Sequence, residues 1–167
     1  MKVQKGFTLI ELIVVIVILG ILAATALPRF AALQTQARIA KLNGAYGAMK
    51  GAASLAHAAC LASTPQCTTT AGATGTLLME GVNVTMVNTY PTADAAGIVL
   101  AAGLTVSQAG GAPSPDGYEI ANGGPSAGAM LQMRVLGNDS PNCSFNYTSP
   151  PAVNTSPSFS VLTTSGC

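Results

Sequence analysis

The stretch KGFTLIELIVVIVILGILAATALP, residues 5–28, decides the fold of this chain. Residues 7–27 contain one charged side chain, Glu11, and as a helix they would be about 32 Å long, which matches the hydrocarbon core of a bilayer. A carboxylate there raises the free energy of membrane insertion by at least about 2.5–3.5 kcal/mol. On insertion scales the favourable contributions of the Leu, Ile and Val residues are larger than this cost. Because Lys2 and Lys5 precede the run, the stretch predicts a membrane-spanning helix with a cytoplasmic N-terminus.

A conventional secretory signal peptide is the simplest alternative for this stretch. Ala24-Thr25-Ala26 fits an A-x-A cleavage site, and cleavage before Leu27 would release a soluble exported binding protein or enzyme. Two features favour retention of the helix instead. The apolar run is longer than a usual signal-peptide core, and Glu11 would have no role in a segment that is destroyed.

The segment Lys5-Gly6-Phe7-Thr8-Leu9-Ile10-Glu11 resembles the class III signal of type IV pilins and of type II secretion pseudopilins. The resemblance rests on a short basic leader ending in Gly6, an aromatic Phe7, Glu11 and the aliphatic run up to Pro28. It implies that a prepilin peptidase cuts between Gly6 and Phe7 and methylates the new amine of Phe7. The apolar helix would then be kept in the mature protein.

Glu11 has an assembly role in this interpretation. Cleavage would create a positively charged amine at Phe7, and the resemblance implies that this amine meets Glu11 of a neighbouring subunit. A buried carboxylate is tolerated when it is paired, and it disfavours alignments that leave it alone. The two residues are four apart, so the pair could also close within one helix. Either arrangement makes Glu11 an assembly residue rather than a catalytic one.

The helical pattern continues beyond the apolar run. Pro28 lacks an N–H group and is predicted to kink or loosen the helix locally. After it, apolar residues recur in steps of three and four, as on one face of a helix. We therefore predict one long helix from about residue 7 to residue 62. The residues of the apolar stripe are Ile39, Leu42, Tyr46, Met49, Ala53, Ala56 and Cys60.

The rest of the chain predicts strands and loops. Alternating β-branched and apolar residues indicate one or two strands in residues 76–88, and three more are predicted at 129–136, 143–148 and 158–163. Residues 92–104 favour a short helix, residues 110–117 a loop, and the short connections an antiparallel meander. The resemblance implies the α+β pilin fold, in which a long N-terminal helix, apolar in its first half and amphipathic in its second, packs on a C-terminal antiparallel sheet.

This fold divides the chain into four expected parts. Residues 1–6 are the cleaved leader, residues 7–28 the transmembrane and filament-core half of the helix, and residues 29–62 its amphipathic half. Residues 63–167 form the globular region, with a loop between helix and sheet and a disulfide-closed C-terminal segment.

Four cysteines follow the apolar run, namely Cys60, Cys67, Cys143 and Cys167. None forms a CxxC pair, and the chain has a single histidine, so we expect no metal site. His57 shares a helix face with Cys60, but two ligands do not make a site. An even count in an exported chain indicates two disulfides, for which three connectivities are available. The local pairing, Cys60 to Cys67 and Cys143 to Cys167, is favoured because each pair brackets a loop.

The composition argues against several other functions. Charged residues make up 8% of the chain and the net charge is +1, so nucleic-acid binding has little electrostatic support. No nucleophile elbow, phosphate-binding loop or HExxH motif occurs, and no dense calcium-binding pattern is present. We therefore expect a protein that is not an enzyme and needs no cofactor.

The resemblance implies a structural subunit of a type IV pilus that serves attachment, aggregation or surface motility. Its partners would be other pilin subunits in a homopolymer, the prepilin peptidase, the pilus assembly platform, and the bacterial inner membrane before assembly. The alternative is a pseudopilin of a type II secretion or DNA-uptake machine. Within the family, the chain most resembles mannose-sensitive haemagglutinin (MSHA) type pilins, in Arg29-Phe30, residues 34–41, the Ala-rich helix ending near Cys60 and the closing Thr-Ser-Gly-Cys tail.

Overall fold

A computed structural model describes residues 7–63, 67, 74–137 and 142–167 of the chain. One helix, α1, spans Leu9–Ala62 and confirms the long helix expected from the sequence. The chain divides into two compact units, one ending at Ala37 and one from Arg38 to Cys167. The predicted leader, residues 1–6, lies outside the described residues.

The described residues of the second unit form eight strands in two sheets. The strands are β1 (Thr74–Met79), β2 (Val82–Val87), β3 (Tyr90–Pro91), β4 (Val106–Gln108), β5 (Tyr118–Asn122), β6 (Met130–Val135), β7 (Ser144–Thr148) and β8 (Ser158–Phe159). The first three form one sheet in the order β1-β2-β3, and the other five form a second sheet in the order β4-β5-β6-β7-β8. This is the α+β arrangement of a long helix on antiparallel sheet that the sequence predicted.

The C-terminal part of α1 supplies one side of the core. Its buried residues are Leu42, Ala45, Met49, Ala52, Ala53, Ala56 and Cys60. The predicted stripe was right at five of these positions and missed the two alanines at 45 and 52. Ile39 and Tyr46 are only partly buried, and the Tyr46 ring packs edge-on against Phe145 at 5.2 Å between ring centroids. The two alanines that the stripe missed are buried, as Leu42 and Met49 are.

Residues 76–88 form a hairpin rather than a single strand. β1 and β2 pair antiparallel from Thr74↔Val87 to Met79↔Val82, which leaves Glu80 and Gly81 as a two-residue turn. Both have positive φ, 48° and 84°, as the type I′ turn of such hairpins requires. The Glu-Gly pair is therefore the sequence signal that settles the number of strands here.

The predicted short helix begins where a capping residue allows it. Residues Ala95–Val99 form a short π-helical segment whose N-cap is Asp94. The Oδ1 atom of Asp94 accepts hydrogen bonds from the Gly97 amide at 2.7 Å and from the Thr92 hydroxyl at 2.8 Å. This network ties the segment to β2, because Thr92 N donates to the Thr85 carbonyl at 3.0 Å.

The larger sheet is not a pure antiparallel meander, which corrects the predicted topology. β4 and β5 were not predicted, and they pair in parallel with the register Val106↔Tyr118. The loop between them is held by two carboxylates: Asp116 Oδ2 accepts from the Thr105 amide at 3.2 Å and Glu119 Oε1 from the Gly110 amide at 3.0 Å. These two acids therefore fasten the loop between β4 and β5.

Tyr147 on β7 joins the two sheets. Its hydroxyl is fully buried and donates to the Pro91 carbonyl on β3 at 2.7 Å. Burial raises the pKa of Tyr147 well above its usual range, and the nearby Tyr90 and Asp94 raise it further. The neutral phenol is therefore a requirement of the folded state.

We expect the second unit to lose stability in alkali because of Tyr147. A tyrosine whose pKa is higher in the folded state than in the unfolded state adds to the free energy of unfolding. This contribution is complete below about pH 10 and is lost as the pH rises toward the folded-state pKa. Urea unfolding of the detergent-solubilised chain, followed by near-ultraviolet circular dichroism between pH 8 and pH 11.5, should show falling midpoints above about pH 10. Tyr147→Phe should flatten this slope, and an unchanged slope would contradict the assignment.

Candidate functional site

The N-terminal part of α1 is an apolar surface that the fold leaves uncovered. Fourteen large apolar side chains between Phe7 and Leu27 are exposed, from 46% for Ile13 to 87% for Phe7. By length and composition this helix is able to cross a membrane. Burying one such side chain stabilises by about 1.5–3 kcal/mol, so a surface of this size is stable only against lipid or against other apolar helices.

Thr8 caps the first turn of α1. The Glu11 amide donates to Thr8 Oγ1 at 3.3 Å, and the Leu12 amide donates to the Thr8 carbonyl at 3.3 Å. Thr8-Leu9-Ile10-Glu11 thus has the spacing of a capping box, and a carboxylate in the first turn also suits the helix dipole. Sequence reasoning missed this role of Thr8, although the T-x-x-E pattern carries the signal.

Glu11 lies one turn from Phe7, at the exposed start of the apolar surface. Among the described residues no cation forms an ion pair with its carboxylate. Gly6, the other residue of the predicted cleavage site, lies outside the described range. Glu11 is therefore placed where a cation from another molecule, or an amine at the processed end of its own helix, could reach it.

Pro28 lies within α1, which runs through it. Because Pro28 has no N–H to donate, the carbonyl of Ala24 lacks its usual helical partner. The Thr25 hydroxyl donates to the Leu22 carbonyl at 2.9 Å, so side-chain hydrogen bonding occurs just before the proline. The kink at Pro28 stays a prediction.

Both cystines in the structure are local. Cys60, in the last turn of α1, forms a disulfide with Cys67. Cys143, just before β7, forms a disulfide with Cys167. The Cys167 carbonyl also accepts a hydrogen bond from Arg38 Nη1 at 3.0 Å, which ties the C-terminus to α1. Within the described ranges no three His, Cys, Asp or Glu side chains come together as metal ligands.

The longer of the two disulfide loops should matter more for stability. On the chain-entropy model, Cys143–Cys167 contributes about 3.5 kcal/mol and Cys60–Cys67 about 2.5 kcal/mol. We expect the double variant Cys143→Ser/Cys167→Ser to unfold at lower urea concentration than Cys60→Ser/Cys67→Ser. Equal or reversed midpoints in the same detergent would contradict this order.

Comparisons with known proteins find a match to one family model and several relatives that cover part of the chain. Residues 1–27 match the family model described as the prokaryotic N-terminal methylation motif. The chain is 52% identical over 52 residues to the type IV narrow pilus major component PilA5 of Thermus thermophilus, which covers 31% of this chain and 45% of that protein. It is 49% identical over 53 residues to the fimbrial protein EcpC of Eikenella corrodens, covering 32% and 35% of the two chains.

A third relative is the type IV major alpha-pilin of Moraxella bovis, 48% identical over 52 residues, or 31% of this chain and 33% of that one. The aligned regions span less than half the length of these relatives. No solved structure matches the chain. The chain is therefore similar to the methylation motif over residues 1–27 and to these pilin and fimbrial proteins over about a third of its length.

Proposed function

We propose that this chain is a structural subunit of a type IV pilus that polymerises through its apolar N-terminal helix. The observation that carries the proposal is the uncovered apolar surface from Phe7 to Leu27, joined to a separate globular unit with its own core. Packing among copies of itself stabilises such a helix most, because each copy then removes the same apolar surface from water. The proposed role is structural, and it requires no catalytic residue.

Maturation would begin at the N-terminal motif. A prepilin peptidase cuts between Gly6 and Phe7 and methylates the Phe7 amine, in keeping with the matched methylation motif. Before assembly the subunit is anchored in the inner membrane as a single-pass protein. An assembly platform then adds it to an extracellular filament. This proposal includes the similarity to MSHA-type pilins in Arg29-Phe30, residues 34–41, the Ala-rich helix ending near Cys60 and the C-terminal tail.

Glu11 would set the alignment of subunits in the filament. A cationic amine at Phe7 and the Glu11 carboxylate attract each other strongly once lipid or neighbouring helices exclude water. A subunit one step out of register leaves both charges unpaired in an apolar medium, at a cost of several kcal/mol. The pair closes either between neighbours or within one helix, and both arrangements require the processed amine.

The N-terminus of the mature protein tests the proposal directly. Filaments sheared from cells should contain subunits that begin at N-methylated Phe7, as shown by N-terminal sequencing and intact mass. A deletion strain should lack these filaments in electron micrographs, and the restored gene should return them. A mature protein that begins at Leu27 would contradict the proposal and show a soluble exported protein instead.

A further inference from the structure

We propose that Asn122 is a modification site, at which the side-chain amide reacts with the next main-chain nitrogen and is converted to aspartate and isoaspartate. The site lies in the second unit, at the end of β5, and its chemistry does not depend on filament assembly. Asparagine is a thermolabile residue, and a following glycine protects it least, because glycine has no Cβ beside the attacking nitrogen. The chain contains two such pairs, Asn43-Gly44 and Asn122-Gly123.

The reaction at Asn122 needs no enzyme and no co-reactant other than water. The Gly123 nitrogen attacks Cγ of Asn122, so that an N–Cγ bond forms, the Cγ–Nδ2 bond breaks and ammonia leaves. The product is a five-membered succinimide, which water opens on either side of the ring nitrogen. Opening at Cγ gives aspartate. Opening at the main-chain carbonyl gives isoaspartate, in which the main chain passes through Cβ and Cγ and is longer by one carbon.

Both reacting groups of this pair are accessible. The residues Asn122 and Gly123 are exposed. Within the part of the chain that the structure describes, no residue forms a hydrogen bond with the Asn122 side chain or accepts one from the Gly123 amide. It is the next amide, that of Gly124, which donates to the Ala93 carbonyl at 2.8 Å. The nitrogen that must attack is therefore not held by the fold.

The backbone at this pair departs from strand geometry. The φ angle is 60° at Asn122 and 95° at Gly123. Asparagine is one of the few residues with a side chain that adopt the left-handed region readily. The ladder between β5 and β6 ends at the pair Asn122↔Leu131, so Gly123 lies outside the strand. Rotation about the bonds that join Asn122 to Gly123 therefore leaves the sheet intact.

Glycine is required at position 123, so the fold itself maintains the reactive pair. A Cβ at this position would overlap the Ala93 carbonyl oxygen, and a φ of 95° is unfavourable for any residue with a side chain. A substitution of Gly123 would therefore damage the fold as well as the reaction. A substitution of Asn122 can remove the reaction alone.

The second pair, Asn43-Gly44, has the same sequence in opposite surroundings. Both of its residues are exposed, but they lie inside α1. Asn43 Nδ2 donates to the Ile39 carbonyl at 2.9 Å, and a helical amide such as that of Gly44 donates to the preceding turn. The neighbours Leu42 and Ala45 are buried, so rotation here would unwind a packed part of the helix. We therefore expect Asn43 to react much more slowly than Asn122.

Isoaspartate should loosen the contact between the β5–β6 connection and Ala93. The extra main-chain carbon would have to fit between Asn122 and Gly124, whose amide is held by the Ala93 carbonyl. Ala93 is fully buried and has no room to follow. The reaction also adds one negative charge to a chain whose formal net charge is +1. The folded protein thus becomes more acidic and less stable with age.

Timed incubation of the full chain tests the site. The chain is kept in phosphocholine micelles at 37 °C between pH 6 and pH 9, then reduced and digested with pepsin, because digestion in alkali would itself drive the reaction. Mass spectrometry with electron-transfer fragmentation measures aspartate and isoaspartate at both pairs. We expect conversion of Asn122 that rises with time and with pH, since the attacking nitrogen must lose its proton. It should exceed conversion of Asn43 at least roughly tenfold.

Two variants at position 122 separate the reaction from its effect on stability. Asn122→Gly removes the reacting side chain and suits a φ of 60°, so it should fold as the parent does and show no conversion. Asn122→Asp supplies the charge without lengthening the main chain. The Tm of the parent should fall by about 4 °C as isoaspartate accumulates, which corresponds to the loss of one backbone hydrogen bond. Incubated Asn122→Gly and fresh Asn122→Asp should keep the Tm of the fresh parent.

Incubation in 8 M urea gives the control for the fold. There the two pairs should react at similar rates, and a difference that persisted in urea would contradict the role given to the structure. In the folded chain, conversion of Asn122 no faster than that of Asn43, or aspartate without any isoaspartate, overturns the proposed site. An unchanged Tm in the fully reacted parent overturns the proposed effect on the Ala93 contact.

Discussion

Glu11→Ala should insert into the membrane as the parent chain does and yet reduce assembled filaments by roughly 100-fold or more. The insertion step gains from the change, because a carboxylate in hydrocarbon costs at least about 2.5–3.5 kcal/mol. Assembly loses the partner of the Phe7 amine, and leaving one member of a buried ion pair alone costs about 3–5 kcal/mol. Each 1.4 kcal/mol is a factor of ten in an equilibrium constant, so the loss far exceeds normal variation in yield.

The measurement counts sheared filaments against membrane-held subunits by quantitative immunoblot, with electron microscopy of the same cells. Glu11→Gln isolates the charge, since it keeps the shape and should fail almost as badly as alanine. Glu80→Ala is the matched control: it removes an acid from the β1–β2 turn, where no part of the assembly argument depends on it. Normal filament yield from Glu11→Ala would refute the assigned role of Glu11.

The assignment of Glu11 is based on the information that the first 28 residues carry. A long apolar run has few structural solutions, because only a helix satisfies every backbone group in lipid. The single acid in that run then indicates a partner, since a favourable position at the helix dipole offsets only part of its cost in an apolar medium. The buried face of α1 from Leu42 to Cys60 was likewise readable from the sequence, because helical periodicity repeats over several turns.

Short elements that depend on tertiary contacts could not be predicted from the sequence in this way. β4 has three residues and β5 has five, and their parallel pairing depends on a loop fastened by Asp116 and Glu119. No local sequence pattern predicts such a pairing, because the two strands acquire their register only when the loop closes. A cleft lined by His57, Thr89 and Asn154 could not be predicted either, because its residues come from three separated segments of the chain.

Gly97→Ala should be among the most destabilising single substitutions in the second unit. A Cβ at this position would overlap the Oγ1 atom, carbonyl oxygen and amide nitrogen of Thr92. Thr92 has no room to move, since it is fully buried and its amide donates to the Thr85 carbonyl at 3.0 Å. Overpacking against fixed backbone costs about 3 kcal/mol or more, which corresponds to a fall in Tm of roughly 10 °C.

Gly47→Ala is the matched control, because it makes the same chemical change at a site with the opposite surroundings. No atom lies within 4 Å of a Cβ built at Gly47, and the residue sits inside α1, where alanine is favoured over glycine by about 1 kcal/mol. Thermal unfolding of both variants in the same micelles should therefore shift Tm in opposite directions. If Gly97→Ala unfolded at the parent temperature, the π-helical segment would have to move away from Thr92, and the Asp94 cap could not have the geometry described.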